Sequence, residues 1–426
     1  MNIKEVINGK YEKIIKNFLS LFTIQGLNYI LPLITVPYLT RVLGAENYGK
    51  TIFAMAIIIN FQVICDYGFN MSATRNISIN RDNKSEIEQI FSSVISIKSM
   101  FTIIGAFILT IMIFTIPRLR EDYILYYFTY ISVVGNALFP VWLFQGIEDM
   151  KYITYLNVAV KLISTISIFL LIRSSEQYIL LPLINSSVLV IIAIISLILI
   201  KIKMKINFMK PSYKRILIEL KDGWHLFVTS FFSNILSNSG NLIIGTFLGD
   251  VMVGYYGGID KIVKAIISIF APITTAIFPH TNRELKKSKK DGIKEIVKFA
   301  KIVIAIAIVV AIVTILTAKI AVYILCGSEY VQYADILRIQ SIWIVISIIN
   351  NFIGIQFLIG ISAGYYYSRS FMIAGAIMIC FDIAFINIWG IYTIPFGMII
   401  SELSLCIIML LIIFKKKLYM EVNDSE

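Results

Sequence analysis

The sequence contains few of the residues that most often build catalytic and metal sites. Of its 426 residues, two are histidines and four are cysteines. His225 and His280 lie far apart and have no companion ligands, and the cysteines have the spacing of neither a metal site nor a disulfide framework. No glycine-rich phosphate-binding loop is present, so we do not expect the chain to hydrolyse ATP. We therefore expect no cofactor and no enzymatic activity.

Charged residues are also scarce, at 15% of the chain, whereas 58% of the chain is hydrophobic. Apolar runs of about 18 or more residues recur along the sequence, and a run of that length can cross a bilayer as a helix. The longest polar interruption is roughly twenty residues, which leaves no room for a large soluble domain. The composition therefore predicts an all-α polytopic membrane protein.

The apolar runs predict about twelve transmembrane helices in two six-helix lobes. We expect an amino-terminal lobe at residues 1–200, a basic cytoplasmic linker at 201–222, and a carboxy-terminal lobe at 223–426. An even number of spans in each lobe would give both lobes the same orientation, with the substrate path between them. The predicted spans lie near residues 17–40, 48–67, 90–116, 123–145, 154–173, 178–200, 223–248, 255–278, 299–326, 336–361, 371–389 and 395–414.

The positive charge is concentrated in alternate loops. In a soluble protein a net charge of +12 would suggest nucleic acid as a partner. In a membrane protein, basic loops mark the cytoplasmic side, and this rule predicts that both termini are cytoplasmic. We expect no nucleic-acid partner. The simplest interpretation of the basic loops is that they set the topology and contact anionic lipid.

The first predicted span carries residues that a lipid-facing anchor does not need. Gln25 and Asn28 lie one turn apart, and Pro32 and Pro37 follow them. Proline is tolerated in a spanning helix where neighbours or water can pair the freed carbonyl groups. We expect a bending helix that faces a cavity, with Gly26 and the two prolines as hinges. The alternative is a kinked helix whose polar side chains only hold the bundle together.

The second half of the chain repeats this pattern weakly. The span near residues 231–247 contains Asn238 and Asn241, and it ends in Leu-Gly at Gly249, as the first span ends in Leu-Gly at Gly44. Both segments would be the first helix of a lobe. Repeated halves are typical of transporters.

Lysine is the notable charged residue inside the predicted spans. Lys98 and Lys161 lie in the third and fifth spans, and Lys261 and Lys264 lie three residues apart on one face of the eighth. A charge at membrane depth is costly and usually functional. These lysines predict a water-filled cavity that attracts an anionic substrate. Alternatively, they extend to the headgroups and have no contact with substrate.

Two carboxylates lie in the last two predicted spans. Asp382 and Glu402 are candidate proton or cation sites. The alternative is that one of them pairs with Arg369 or with a neighbouring polar group. Lysines rather than carboxylates dominate the charge at membrane depth, which disfavours a cation-coupled exporter of small amphipathic molecules.

Five short motifs occur along nearly the whole chain. They are the run from Pro32 to Gly49, Asp66-Tyr67-Gly68-Phe69 with Arg75, the run from Pro140 to Gly146, Val253-Gly254-Tyr255-Tyr256 with Lys261, and Ile277-Phe278-Pro279 with Arg283. In order and spacing these motifs resemble those of the Wzx-type polysaccharide flippases. That family belongs to the multidrug/oligosaccharidyl-lipid/polysaccharide (MOP) exporter superfamily.

The resemblance implies a two-lobed helical fold in a bacterial cytoplasmic membrane. It also implies that the protein flips an undecaprenyl-diphosphate-linked oligosaccharide to the outer leaflet for O-antigen or capsule assembly. A polysaccharide polymerase and a chain-length regulator would be further partners, besides membrane lipids. A polymerase activity of the chain itself is the alternative, and its short outward loops disfavour it.

A cationic central cavity is typical of the family, and the lysines of this chain fit one. Under this interpretation the lysines hold the diphosphate, while amide and aromatic side chains meet the sugars. The expected substrate-binding residues are Lys98, Lys161, Lys261, Lys264, Asn28, Asn238, Asn241 and Tyr256.

Overall fold

A computed structural model describes the backbone of residues 3–420 and the side chains of residue 31 and residues 33–420. Apart from their backbone, Gly26, Asn28 and Pro32, which the sequence predicts as hinge or binding residues, lie outside the described residues. Helices follow one another along the whole described backbone, and no strand occurs in it. The helices are α1 Ile3–Asp66, α2 Phe69–Ile79, α3 Lys84–Thr115, α4 Pro117–Glu121, α5 Tyr123–Leu138, α6 Val141–Gly146, α7 Met150–Leu171, α8 Leu180–Leu199, α9 Tyr213–Leu248, α10 Asp250–Ser268, α11 Phe270–Lys287, α12 Lys289–Cys326, α13 Ala334–Asn351, α14 Gly364–Trp389 and α15 Thr393–Lys415.

Among the described residues, 9 segments are long and apolar enough to cross a membrane. Two of these segments, Leu33–Ile79 and Gly364–Lys415, each join two predicted spans across a glycine with positive φ. Helix α9, which contains the predicted span 223–248, is not among the 9 segments. The all-α polytopic membrane fold that the composition predicts is confirmed.

Two glycines break the helices at matching points of the repeated pattern. Gly44 interrupts α1 with φ 73° and ψ 170°, and Gly249 separates α9 from α10 with φ 86° and ψ 179°. Glycine tolerates this region because it has no Cβ, whereas other residues rarely enter it. Pro37 lies inside α1, whose non-helical residue is Gly44. The helix therefore breaks at the repeated glycine, and bending at Pro37 stays a prediction.

The chain divides into two compact units. Unit 1 comprises Met1–Tyr38 and Val42–Asn238, and unit 2 comprises Leu39–Arg41 and Ser239–Glu426. The division falls inside α9, so the first part of this helix belongs to unit 1 and its last turns begin unit 2. The lobe boundaries that we expected, at 200 and 223, stay a prediction.

In unit 1 the core is built around buried aromatic side chains. Trp142 and Phe144 of α6 are fully buried with Phe69 of α2, and the Trp142 ring lies 6.1 Å from that of Phe91 in α3. Large rings of this kind bury much apolar surface and have few rotamers. They hold α2, α3 and α6 together.

The first part of α9 packs closely on the turn that follows α1. Tyr67 and Gly68 of that turn have positive φ, and the Tyr67 ring stacks on Phe227 with centroids 4.8 Å apart. A Cβ atom at Gly68 would lie 2.9 Å from the backbone nitrogen of Phe227, and one at Gly223 would lie 2.8 Å from the Tyr67 carbonyl oxygen. Glycine at both positions therefore lets backbone approach backbone, which explains why this part of α9 belongs to unit 1.

Charged side chains reinforce the same contact near the start of α9. Arg215 donates to Glu86 of α3 and to Glu219 one turn further along α9, both at 3.0 Å. Glu219 is fully buried and also accepts from the Asn76 amide at 3.2 Å. A buried carboxylate needs such donors, because burying an unpaired charge is costly. The cluster therefore orients the amino-terminal part of α9 on unit 1.

Candidate functional site

One buried charged pair in unit 1 joins Lys98 of α3 to Asp66 at the end of α1. The Lys98 ammonium donates to Asp66 Oδ1 at 2.8 Å and to the carbonyl oxygen of Asn136 at 3.4 Å. The Lys98 side chain is 1% exposed, whereas that of Asp66 is 26% exposed. The carboxylate is therefore the accessible end of this pair. Lys98 would have to leave Asp66 before it could contact a substrate.

A charged pair on α10 of unit 2 has the opposite arrangement. Lys264 of α10 donates to Asp260 Oδ2 at 2.7 Å, one helical turn away. Here the lysine side chain is 51% exposed and the aspartate side chain 6%. Unit 2 therefore presents an ammonium whose counter-ion is buried behind it.

Asp260 has a second donor inside unit 2. The Gln340 amide of α13 lies 3.3 Å from Asp260 Oδ1 and 3.3 Å from the Tyr256 hydroxyl oxygen. Gln340 is fully buried, so its amide has a fixed environment. The Gln340 amide is therefore a donor to Asp260 that does not depend on Lys264.

Tyr256 lies inside unit 2 and is not exposed. It is 4% exposed, and its hydroxyl donates toward Met398 Sδ of α15 at 3.5 Å besides receiving the Gln340 amide. Tyr256 is therefore part of the buried packing around Gln340 and Asp260. A sugar could not reach this ring without a rearrangement of unit 2.

The asparagines of α9 fall in both units. Asn238 is half-buried, and its amide donates to Asn234 Oδ1 at 2.9 Å, while the Asn234 amide donates to Asn60 Oδ1 at 3.1 Å. These three side chains form an amide chain between α9 and α1 within unit 1. Asn241 lies in unit 2, and its buried Oδ1 has no hydrogen-bond partner among the described residues.

The remaining two lysines are half-buried. Lys161 lies in α7 of unit 1, and Lys261 lies in α10 of unit 2, three residues before Lys264. The sequence predicted that Lys261 and Lys264 share a helix face, and both lie on α10 at helical spacing.

The two carboxylates near the carboxyl terminus have different surroundings. Asp382 of α14 is fully buried and lies against Gly397 of α15. Within the described part of the chain, neither of its oxygens has a hydrogen-bond partner. Glu402 of α15 accepts a short hydrogen bond from the Asn350 amide of α13. Of the two, Asp382 is the carboxylate that lacks a compensating donor.

No metal site forms among the described residues. Their histidine, cysteine and carboxylate side chains make no group of three or more that could hold an ion.

Sequence reasoning missed the residues that hold the lysines in place. Asp260 lies four residues before Lys264, a spacing that brings side chains together on a helix, so the sequence carried a signal for that pair. No local spacing in the sequence indicates the roles of Asp66 and Gln340, because each contacts a residue of another helix.

Comparison with known proteins identifies relatives over most of the chain. The profile of the family described as "Polysaccharide biosynthesis protein" matches residues 14–283. A protein of Escherichia coli K12 named "Putative O-antigen transporter" is 29% identical over 344 residues, which are 81% of this chain and 83% of that protein. A protein of Shigella dysenteriae with the same name is 28% identical over 270 residues, or 63% of this chain and 67% of that protein.

Solved structures of transporters share the fold. An inward-facing multidrug resistance MATE family transporter of the MOP superfamily superposes with a TM-score of 0.71 at 13% identity, covering 95% of this chain and 98% of that one. The lipid II flippase MurJ in its inward closed conformation superposes with a TM-score of 0.70 at 14% identity, covering 95% of this chain and 87% of that one. At such low identity these likenesses show the fold alone.

The family profile spans more than half of the chain, and the helical architecture is that of the MOP transporters. The profile match confirms the family that the five motifs resemble. The chain belongs to the polysaccharide biosynthesis protein family.

Proposed function

We propose that this protein is a flippase for a lipid-linked oligosaccharide in a bacterial cytoplasmic membrane. Its substrate would be an undecaprenyl-diphosphate-linked repeat unit for O-antigen or capsule, moved from the cytoplasmic to the outer leaflet. The names of its relatives and the fold it shares with a lipid II flippase support this proposal. The positive-inside rule supports cytoplasmic termini.

The diphosphate is the physical obstacle to unassisted flipping. Two adjacent negative charges cannot enter hydrocarbon without a large penalty, so the headgroup needs a hydrated, cationic route. The observation that carries the proposal is the half-exposed Lys264 ammonium on α10, with Lys261 beside it on the same helix. An anionic headgroup is the ligand that such a pair suits best.

The surroundings of each lysine suggest different roles. Lys264 would make the first contact with the diphosphate, and the half-buried Lys261 and Lys161 would add to the positive potential. Lys98, which Asp66 holds in a buried pair, would act by shaping unit 1 unless the pair opens. This assignment narrows the four lysines of the sequence prediction to one leading candidate.

Amide side chains would meet the sugars. Asn238 and Asn241 lie on α9, and Asn28 is the corresponding candidate on α1. Both hydrogen-bond donors and acceptors are available on an amide, which suits the hydroxyl groups of a saccharide. The Tyr256 ring is buried, so its role would be to hold the Gln340 amide, and through it Asp260, in position.

Asp382 is the stronger of the two candidates for ion coupling. A buried ionised carboxylate without donors is unfavourable, so a proton or a cation would neutralise it. Glu402 already has the Asn350 amide as a donor and is the weaker candidate. Alternate exposure of the site to the two sides of the membrane would use hinges at Gly26, Pro32 and Pro37, together with the glycine breaks at 44 and 249.

The test in cells is the sidedness of lipid-linked repeat units after deletion of the gene. Complete repeat units should accumulate in the cytoplasmic leaflet of spheroplasts. Wild type should relieve the accumulation, the double variant Lys261→Ala/Lys264→Ala should not, and Lys287→Ala should behave as wild type. Lys287 is a matched control, because its exposed ammonium also pairs with a carboxylate, Glu284, at 2.7 Å.

Other outcomes of the same experiment would change the assignment. Unpolymerised repeat units in the outer leaflet would indicate a polymerase instead. Normal surface polysaccharide without trapped intermediates, in a strain without a second flippase, would favour a cation-coupled exporter of small amphipathic molecules.

A further inference from the structure

The lysine–aspartate pairs at Lys98 and Lys264 are built with opposite accessibility. In unit 1 the ammonium of Lys98 is buried and Asp66 is the more open partner. In unit 2 the carboxylate of Asp260 is buried and Lys264 is half-exposed. Only the second arrangement lets the lysine exchange its partner for an external anion while the aspartate remains where it is.

The Asp260–Lys264 pair is neutral as a unit, and this limits what Lys264 can do alone. At 2.7 Å the carboxylate cancels most of the attraction that the ammonium would exert on a distant anion. A diphosphate must therefore draw the ammonium away from Asp260. The two adjacent phosphate groups can draw the ammonium away at short range, because several phosphate oxygens then compete with one carboxylate for it.

Gln340 makes this exchange reversible. Its buried amide donates to Asp260 Oδ1 at 3.3 Å, so the carboxylate retains a donor after Lys264 has left. The carboxylate also keeps its position and can recapture the ammonium as soon as the diphosphate leaves. The pair thus returns to its starting state without any rearrangement of the helix.

We propose that Asp260 is an internal anion that competes with the substrate's diphosphate for Lys264 and thereby promotes its release. This inference rests on the proposed function, because it takes the diphosphate of the lipid-linked substrate as the ligand of Lys264. A transport site must bind well enough to load and weakly enough to unload. A lysine without a competitor would load the substrate and then hold it, so Asp260 is a positioning residue for turnover and not a substrate contact.

The test separates binding from export. Binding of undecaprenyl diphosphate to the purified full-length protein in nanodiscs is measured by titration, and surface polysaccharide per molecule of membrane protein is measured in cells. Asp260→Asn should tighten binding about tenfold, in the usual range of coupling between two sites, and yet lower export. Asp260→Glu retains the competing charge and should restore export. A purely structural role of Asp260 would weaken binding and export together and would overturn the proposal.

A double-mutant cycle distinguishes competition from general repulsion of an anion. If Asp260 acts through Lys264, Asp260→Asn should tighten binding only when Lys264 is present. In the Lys264→Ala background the same substitution should change little. Equal tightening in both backgrounds would mean long-range repulsion and would overturn the proposal.

A second variant tests the idea if Asp260→Asn does not reach the membrane. Methionine is similar in volume to glutamine, and Gln340→Met removes the amide that donates to Asp260. The carboxylate should then hold Lys264 more firmly, so undecaprenyl diphosphate should bind more weakly than to wild type. Unchanged or tighter binding to this variant would contradict the competition.

Unit 1 supplies the matched control, and the lysine variant separates the two proposals. Asp66→Asn, measured below its lowered unfolding temperature, should not tighten binding, because Lys98 is buried in the folded protein. Tightening equal to that of Asp260→Asn would overturn the inference. If Lys264→Ala leaves binding unchanged, the proposed diphosphate site is wrong. If Lys264→Ala weakens binding but Asp260→Asn does not tighten it, the competition alone is wrong.

Discussion

Replacing Asp66 by asparagine should destabilise unit 1 strongly, because it leaves a buried ammonium without its counter-ion. Lys98 is 1% exposed, and its other observed contact is the Asn136 carbonyl oxygen at 3.4 Å. Removing one partner of a buried pair costs about 3–5 kcal/mol. We expect about 3 kcal/mol, at the lower end, because water can reach the 26% exposed Asp66 side and partly solvate the ammonium.

The assay is unfolding of the purified protein in one detergent, with the two single variants and the double variant compared. Asp66→Asn should lower the unfolding midpoint more than Lys98→Met, since asparagine leaves the buried charge in place. The double variant Asp66→Asn/Lys98→Met should recover to within about 1 kcal/mol of wild type, because it removes the charge as well as its partner. A double variant no more stable than Asp66→Asn would refute the reasoning.

Three further predictions test the helix breaks, the start of α9 and the coupling site. Gly44→Ala and Gly249→Ala should each lower the free energy of unfolding by about 1–3 kcal/mol, since both glycines have a backbone conformation that other residues rarely adopt. Gly364 is a helical glycine without positive φ, so Gly364→Ala should be close to neutral in the same thermal unfolding assay. Burial raises the pKa of Glu219 against the opposing charge of Arg215, so this residue contributes less to stability as the pH rises through its raised pKa. Glu219→Gln should remove that part of the pH dependence in unfolding measured from pH 4 to 8, and an unchanged profile would argue against it. Asp382→Asn should leave the protein in the membrane but make export insensitive to an imposed proton or cation gradient, and a variant that still responds to both gradients would exclude Asp382 as the coupling site.

Much of the fold follows from elementary features of the sequence. Apolar runs of bilayer length predicted the membrane helices because a helix satisfies its own backbone groups in lipid. The repeated Leu-Gly at Gly44 and Gly249 proved to be the same backbone break in both halves. Glycine is the residue best suited to such positions, since few other residues adopt that conformation.

The division of α9 could not be predicted in the same way. The sequence shows one continuous polar helix. The first part of α9 belongs to unit 1 because Gly223 packs closely against the turn at Tyr67 and because Arg215 pairs with Glu86 of α3. These contacts join positions more than a hundred residues apart, and such pairing leaves no local pattern.

The candidate site was predictable only in part. Helical spacing indicated that Lys261 and Lys264 lie together, but it did not show which deep lysine is accessible. That difference depends on whether the lysine or its aspartate faces the interior, as the pairs at Lys98 and Lys264 demonstrate. Tyr256 looked like a sugar contact because tyrosine suits both a core and a binding surface, and its burial was decided by Gln340 and Met398 from distant helices.

The most direct test of the central claim is transbilayer movement in a defined system. Purified protein is reconstituted into liposomes with an undecaprenyl-diphosphate-linked saccharide, and the fraction of saccharide accessible from outside is followed over time. Wild type and Lys287→Ala should move the lipid between leaflets, whereas Lys261→Ala/Lys264→Ala should be no faster than empty liposomes. Movement by the double variant at the wild-type rate would contradict the assignment of the diphosphate to α10, and no movement by wild type under any imposed ion gradient would contradict the flippase itself.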